Sequence, residues 1–168
     1  NDTDAWEAIN QFTRELTRVD LPRVSIDNEV LVKNSDPNKP TPFIDEIADN
    51  SGGTCTIFQR MNDDGDMLRV ATTVLRTNGQ RAVGTYIPAK NPDGTANKVV
   101  STLLRGETYY GRAFVVNKWY TTSYEPIFDD DRRVIGAVYV GMLQEEAADL
   151  AQRIRNIRVG ETGYAFVL

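Results

Sequence analysis

Hydrophobic and polar residues follow several distinct periods along this chain, and these periods predict the order of its secondary-structure elements. In residues 4–20 apolar side chains recur at helical spacing: Ala5, Trp6, Ile9, Phe12, Leu16 and Val19. Leu21-Pro22 ends this predicted helix, because a proline ring clashes with a continuing helical turn. Residues 23–53 are rich in turn-forming residues, with one short helical turn expected near 42–48.

From residue 54 onward the pattern predicts mainly strands. Residues 54–61 and 67–75 predict a hairpin around the tight turn Asp63-Asp64-Gly65. After a further turn at Asn78-Gly79, the pattern predicts an extended segment at 81–87 and a short helix at 97–105 that Gly106 closes. Three aromatic-rich strands follow at 106–141, then an amphipathic helix at 144–157 and a last strand from about Gly163 onward.

This order of elements predicts an α+β fold, because strands that follow one another in sequence form adjacent pairs. We expect a central five-stranded antiparallel sheet with a long N-terminal helix and short flanking helices. The expected division places the N-terminal helix and a connecting segment at 1–50 and the sheet domain at 51–158. Residues 159–168 would form a terminal strand or the start of a following unit.

Length and charge narrow the class of protein. The 168 residues suffice for one domain with a substantial core. A net charge of −5 without any basic run argues against nucleic acid as a partner, because phosphate backbones require clustered lysine and arginine. The sequence has neither a signal peptide nor an apolar run long enough to span a bilayer, yet it begins inside a helical pattern and stops inside a strand pattern. We therefore expect flanking membrane segments in a longer protein.

The absence of histidine limits the available chemistry. Without histidine, Ser-His-Asp and Cys-His mechanisms are excluded, as is the commonest metal ligand. The lone Cys55 is expected to be a buried side chain. The acidic runs 62–66 and 129–131 lack the distal glutamate of a calcium loop and predict solvated turns. We expect no catalytic residues, no metal and no cofactor.

Cationic residues lie among tyrosines in the three aromatic-rich strands. Strand alternation places Arg112 on a face with Tyr110 and Phe114, and it places Lys118, Tyr120, Thr122 and Tyr124 together on a face of the next strand. The hydroxyls of Tyr120 and Tyr124 can donate to a ligand oxygen while their rings exclude water. This pattern indicates a small cup for an anion, and thus recognition instead of catalysis.

Structural explanations for the same residues remain open. Arg112 follows Gly111, which would permit close approach of a ligand, but a cross-strand salt bridge explains an arginine there equally well. Tyr120 and Tyr124 are also compatible with an ordinary sheet core, and Lys118 with a solvated turn. Phe58 could form a wall of the pocket, although burial alone accounts for it.

The chain resembles the Cache superfamily, the PAS-like extracytoplasmic domains of bacterial chemoreceptors and sensor kinases, and more narrowly the single-Cache type of methyl-accepting chemotaxis proteins. The phrases that carry the resemblance are GGTCTIFQRMNDDGDMLRVATTV (52–74), GQRAVGTYI (79–87), GETYYGRAFVVNKWYTTSYEPI (106–127) and VIGAVYVGM (134–142). The phrase IRNIRVGETGYAFVL (154–168) resembles the opening of a second Cache unit.

The resemblance implies a pocket strand that contains Arg69, with Thr72 as the hydroxyl residue three positions further on. An arginine that faces solvent is the alternative for Arg69. Related citrate and dicarboxylate sensors use a histidine beside arginines, which this chain lacks, so a monocarboxylate such as acetate is the expected ligand. The expected set of ligand-binding residues is Phe58, Arg69, Thr72, Arg112, Lys118, Tyr120 and Tyr124.

The resulting prediction is a periplasmic ligand-sensing domain of a membrane-bound chemoreceptor. It would bind a small organic anion, transmit occupancy through its terminal helices and form a homodimer along the N-terminal helix. The alternatives are a carboxylate-dependent enzyme and a structural spacer that only orders a dimer. A pocket with cationic side chains favours the sensor, and an entirely apolar cavity favours the spacer.

Overall fold

The computed structural model describes residues 2–156 together with the backbone of 158–159 and 163–164. Its strands are β1 Thr3–Asn10, β2 Leu16–Pro22, β3 Ser25–Ile26, β4 Glu29–Val30, β5 Thr54–Arg60, β6 Met67–Thr72, β7 Thr85–Ile87, β8 Tyr109–Val115, β9 Lys118–Phe128, β10 Val134–Leu143, β11 Arg158–Val159 and β12 Gly163–Tyr164. Its helices are α1 Pro42–Ser51, α2 Lys98–Leu104 and α3 Gln144–Arg155. The predicted α+β class agrees with this architecture.

The main sheet contains eight strands in the order β2-β1-β7-β6-β5-β10-β9-β8. All neighbouring pairs are antiparallel except β1 and β7, which pair in parallel through Ile9↔Thr85 and Asn10↔Tyr86. The prediction of a five-stranded antiparallel sheet is therefore wrong. It omitted β1 and β2, and β7 joins the sheet as a short strand beside β1.

The predicted N-terminal helix is also wrong, because residues 3–22 form the β1–β2 hairpin. Trp6, Ala8 and Asn10 are buried in alternation along β1, which is the period of a strand. On the other face Ala5 is exposed and Ile9 is half-buried, and the apolar residues of the two faces taken together mimic a helical spacing. Asn10 ends the strand, and its Oδ1 accepts hydrogen bonds from the backbone N–H groups of Phe12 and Thr13.

The two faces of the sheet bury separate hydrophobic clusters. On one face α1 packs against β5, where Ile44 and Ala48 join Cys55 and Ile57 in the core. Helix α1 begins at Pro42 and ends at Ser51, and Gly52 caps it with a positive φ of 67°, the left-handed conformation common at helix C-termini. The pKa of Cys55 is raised to about 11 because the thiol is buried, as expected for a core cysteine.

On the opposite face α2 covers the second cluster. Its Val99, Val100 and Leu103 pack with side chains from β5, β6, β8, β9 and β10. The helix begins after Asn97, whose side chain accepts hydrogen bonds from the backbone N–H groups of Val99 and Val100. A long segment from 88 to 97 leads into α2 over this face and encloses a cleft, described below.

The C-terminal part of the described chain leaves the sheet directly from β10. Helix α3 follows β10 and buries none of its residues. Strands β11 and β12 pair with each other, which agrees with the strand expected near Gly163. Most of residues 154–168, the segment that resembles the opening of a second Cache unit, lies outside the described residues. None of the described helices combines the length and the hydrophobicity needed to cross a membrane. The predicted boundaries between segments, after residues 50 and 158, remain a prediction. Strand β1, which belongs to the predicted first segment, lies in the same sheet as β7 of the predicted second segment.

Candidate functional site

The centre of the candidate site is the guanidinium of Arg69, which is completely buried. Its Nη1 donates to Thr85 Oγ1 at 3.0 Å, and its Nη2 donates to Gln11 Oε1 at 2.8 Å. The Nε atom is buried without a hydrogen-bond partner among the described residues. Both partners are neutral, and within the described part of the chain no carboxylate forms an ion pair with Arg69.

The positive charge of Arg69 persists in this environment. Burial lowers its pKa to about 10, the neighbouring phenols of Tyr124 and Tyr139 oppose that shift, and the charge of Arg76 adds to it. The guanidinium therefore stays protonated at neutral pH. The pKa of Arg76 is itself lowered by burial and by Arg14, so the surroundings of Arg69 contain further positive charge.

A second buried arginine shows the contrast. Arg81 donates to both carboxylate oxygens of Asp45, at 2.7 and 3.2 Å, and to the backbone carbonyls of Thr72 and Lys39. Burial tends to raise the pKa of Asp45, but hydrogen bonds from Arg81 and from the Thr41 backbone outweigh it, so the pKa is lowered. Arg81 therefore joins α1 to the sheet as half of an ion pair, whereas Arg69 has no counter-ion among the residues that the structure describes.

An irregularity in β6 aligns Arg69 with Thr72. Thr72 pairs with Thr56 and Arg69 pairs with Phe58, although two residues lie between Arg69 and Thr72 and only one lies between their partners. The register shift leaves Val70 as the extra residue, and Val70 and Ala71 both contribute to the cluster on the α1 side. Arg69 and Thr72 consequently share the α2 face, which regular alternation would forbid.

Aromatic rings enclose the guanidinium on that face. The Phe58 ring lies 5.0 Å from the Arg69 Cζ, and Tyr124 contacts Phe58, Tyr139 and Tyr109 with ring centroids 4.9–6.0 Å apart. The Tyr139 hydroxyl shares a hydrogen bond of 3.1 Å with Thr54 Oγ1. The Tyr124 hydroxyl has no partner among the described residues, and burial raises its pKa, so it remains a neutral donor.

A cleft of about 760 Å³ adjoins this cluster, between the 88–97 segment with the start of α2 and strands β8 and β9. Tyr109, Tyr124, Phe114 and Trp119 supply much of its wall. Gln11 also lines the cleft, whereas Arg69 does not. The Gln11 amide therefore stands between the open space and the buried guanidinium.

The structure places five of the seven predicted site residues on the same face of the sheet. Phe58, Arg69, Thr72, Tyr120 and Tyr124 are all buried there. Only Tyr124 of these five lines the cleft directly, while Thr72 Oγ1 contacts Thr56 Oγ1 at 2.5 Å.

The other two predicted residues lie apart from this group. Arg112 pairs with Thr121 on the exposed side of edge strand β8, where its Cζ lies 5.1 Å from the Trp119 ring centroid, and it forms part of the lining of the cleft. It forms no cross-strand salt bridge with any of the described residues, and its part in an anion site remains a prediction. Lys118 is exposed at the start of β9, beside Leu143 and Glu145 and away from Arg69.

Four residues around Arg69 were not predicted from the sequence pattern: Gln11, Arg76, Thr85 and Tyr139. Gln11 lies in the segment with helical spacing, and its approach to Arg69 depends on the parallel pairing of β1 with β7. The sequence could have indicated Tyr139 as a site residue, because it lies in a predicted strand that neighbours the strand of Tyr124, and the structure pairs these two residues. Nothing in the sequence alone marks Arg76 or Thr85.

The described residues offer no group of three or more Asp, Glu, Cys or His side chains that could hold a metal ion. The polar groups in and behind the cleft are three cations (Arg69, Lys98 and Arg112), the carboxylate of Asp93, and several hydroxyls and amides. Such a set can bind an anion through charge and donated hydrogen bonds.

Comparison with known proteins assigns the family. No curated protein and no solved structure is similar enough to the chain to count as a match. One family model, described as the Cache 3/Cache 2 fusion domain, matches residues 1–168, the whole chain. Cache domains are ligand-sensing modules, typically extracellular, and not enzymes. The resemblance to the Cache superfamily is thereby confirmed, and the chain belongs to the Cache 3/Cache 2 fusion domain family.

Proposed function

We propose that this domain senses a small organic anion, such as a short carboxylate, for a bacterial transmembrane receptor, and that the anion binds to Arg69. The observation that carries the proposal is the burial of the Arg69 guanidinium without an acidic partner in the described residues. An isolated charge in a protein interior costs several kcal/mol of desolvation, so a buried cation is normally paired. A ligand carboxylate would supply the missing charge.

The cleft supports the same class of ligand. Tyr124 lines it with a hydroxyl that has no partner among the described residues, and Arg112 and Lys98 add positive charge to a lining that also contains the carboxylate of Asp93. The aromatic walls would exclude water from the ion pair and thereby strengthen it. The volume of about 760 Å³ exceeds what acetate needs, so a carboxylate with an apolar tail fits the space as well.

The chemoreceptor context, the single-Cache type and the periplasmic location form part of the proposal and rest on the resemblance. A homodimer also remains a proposal, but the N-terminal helix assigned to it does not exist, because that segment is the β1–β2 hairpin. A spacer without a ligand is disfavoured by the cationic groups in and behind the cleft.

A thermal-shift panel tests the proposal. The panel contains acetate, propionate and phenylacetate, each compared with its uncharged amide, and the proteins are wild type and Arg69→Met. We expect at least one carboxylate to raise the melting temperature of wild type while its amide does not, because only the carboxylate compensates the charge. Arg69→Met should abolish that rise. An equal rise in both proteins would remove Arg69 from the site, and the absence of any rise would reject these carboxylates as ligands.

A further inference from the structure

We propose that Gln11 is an internal competitor for Arg69, whose amide oxygen holds the guanidinium until the carboxylate of an incoming ligand replaces it. This inference rests on the proposed function, since it concerns how the anion reaches the same arginine. It assigns to Gln11 a role in setting the affinity of the site.

The position of Gln11 makes it a competitor. Its side chain is almost fully buried, lines the cleft and accepts the Nη2 hydrogen bond of Arg69 at 2.8 Å. On the other side its Nε2 approaches the carbonyl oxygen of Phe114 at 3.5 Å, the limit of a hydrogen bond. The strong contact of the amide is therefore the one to Arg69. An anion in the cleft would meet this amide before it meets the guanidinium.

The unpaired atom of Arg69 indicates what would replace the amide. In a guanidinium, Nε–H and one N–H of Nη2 point in the same direction and form one edge of the planar fork. In this structure Nη2 is held by Gln11, and Nε has no partner among the described residues. A single amide oxygen satisfies only half of this edge. A carboxylate has two oxygens at the right spacing and would satisfy both donors.

The exchange is favourable because of charge. Hydrogen bonds between ionised partners are roughly twice as strong as those between neutral groups. The contact of Nη1 with Thr85 lies on the other side of the guanidinium and is unaffected by the exchange. The released amide remains at the cleft, where it can bond to water or to the ligand.

Three variants test the role of Gln11. Gln11→Ala removes the competitor, Gln11→Glu places a carboxylate on Arg69 permanently, and Gln80→Glu makes the same charge change at an exposed turn as a control. The probes are acetate and phenylacetate, with affinity measured by calorimetry and melting temperature measured without any anion.

We expect Gln11→Ala to bind its probe about tenfold more tightly than wild type, since the anion no longer displaces a hydrogen bond. Gln11→Glu should bind neither probe and, without any anion, should melt about 3 °C or more above wild type, because the new carboxylate compensates Arg69. Gln80→Glu should match wild type in both measurements.

The contrary outcomes separate this inference from the proposed function. If wild type binds a probe but Gln11→Ala binds it equally or more weakly, Gln11 is no competitor while the anion site stands. If Gln11→Glu is no more stable than Gln80→Glu in the absence of anion, the complementarity argued for Arg69 is refuted without reference to any ligand. If neither wild type nor Gln11→Ala binds a probe, both proposals fail for these anions.

Discussion

Replacement of Arg69 by methionine should change the stability of the ligand-free domain very little, which is unusual for a large, completely buried side chain. The pKa of about 10, compared with the ordinary 12.5, means that the folded protein disfavours the charged guanidinium by about 3 kcal/mol. Two hydrogen bonds to neutral acceptors return about 1.5 kcal/mol each, the lower end of the range for a charged donor, which is about 3 kcal/mol together. Methionine removes both contributions and keeps an apolar chain in the space, so we expect a net change within about 1 kcal/mol of zero.

Arg81→Met is the matched control, because Arg81 is also buried but is paired with Asp45. Removal of one member of a buried pair leaves the other charge uncompensated, which costs about 3 kcal/mol here since Asp45 keeps some exposure. In a protein of this size that loss lowers the melting temperature by roughly 6–12 °C.

Urea denaturation at neutral pH measures both variants against wild type. The lowered pKa of Asp45 stabilises the fold above the ordinary carboxyl pKa of 3.8, and this contribution is lost as the pH falls through the lower value of the folded state. The deficit of Arg81→Met should therefore shrink in acid. If Arg69→Met destabilises the domain as much as Arg81→Met does, Arg69 is an ordinary structural residue and the reasoning that requires a ligand anion is refuted.

Two further predictions concern the tyrosines behind the cleft. Tyr124→Phe should weaken binding of the effective carboxylate about fivefold to tenfold, because one hydrogen bond to the ligand is lost. Tyr120→Phe should leave the affinity unchanged, because Tyr120 does not line the cleft. Calorimetry measures both affinities, and equal losses in the two variants would contradict this assignment. Gly141→Ala should destabilise the fold by about 2 kcal/mol in urea denaturation, because a Cβ at this position would overlap the Tyr139 hydroxyl and break its hydrogen bond with Thr54. Unaltered stability would show that the Tyr139 ring can move to accommodate the Cβ.

Local patterns predicted the second half of the fold well. The β5–β6 hairpin, the short helix before Gly106, the three aromatic strands and α3 all depend on turn residues and periods visible within a few positions. Asp63-Asp64-Gly65 is a good example, because the turn chemistry alone fixes where β5 and β6 separate.

The first half could not be predicted in the same way. Whether residues 3–22 form a helix or a hairpin depends on the parallel contact of β1 with β7, more than 70 residues along the chain. Tertiary pairing of this kind overrides a local helical spacing. The same limitation applies to the site. Arg69 is conspicuous in the sequence of an apolar strand, but its contact with Gln11 depends on the parallel pairing of β1 with β7. Its place on the same face as Thr72 depends on the extra residue in β6.

That extra residue has a consequence for how this strand tolerates change in length. Substitution of Val70 or Ala71 alters packing under α1 but leaves Arg69 directed toward the rings. Deletion of either residue would leave the arginine and the threonine two positions apart in a regular strand, so both would still project from the same side. Loss of one codon in this stretch is therefore expected to preserve recognition, whereas loss of both codons would turn one of the two side chains away from the binding site.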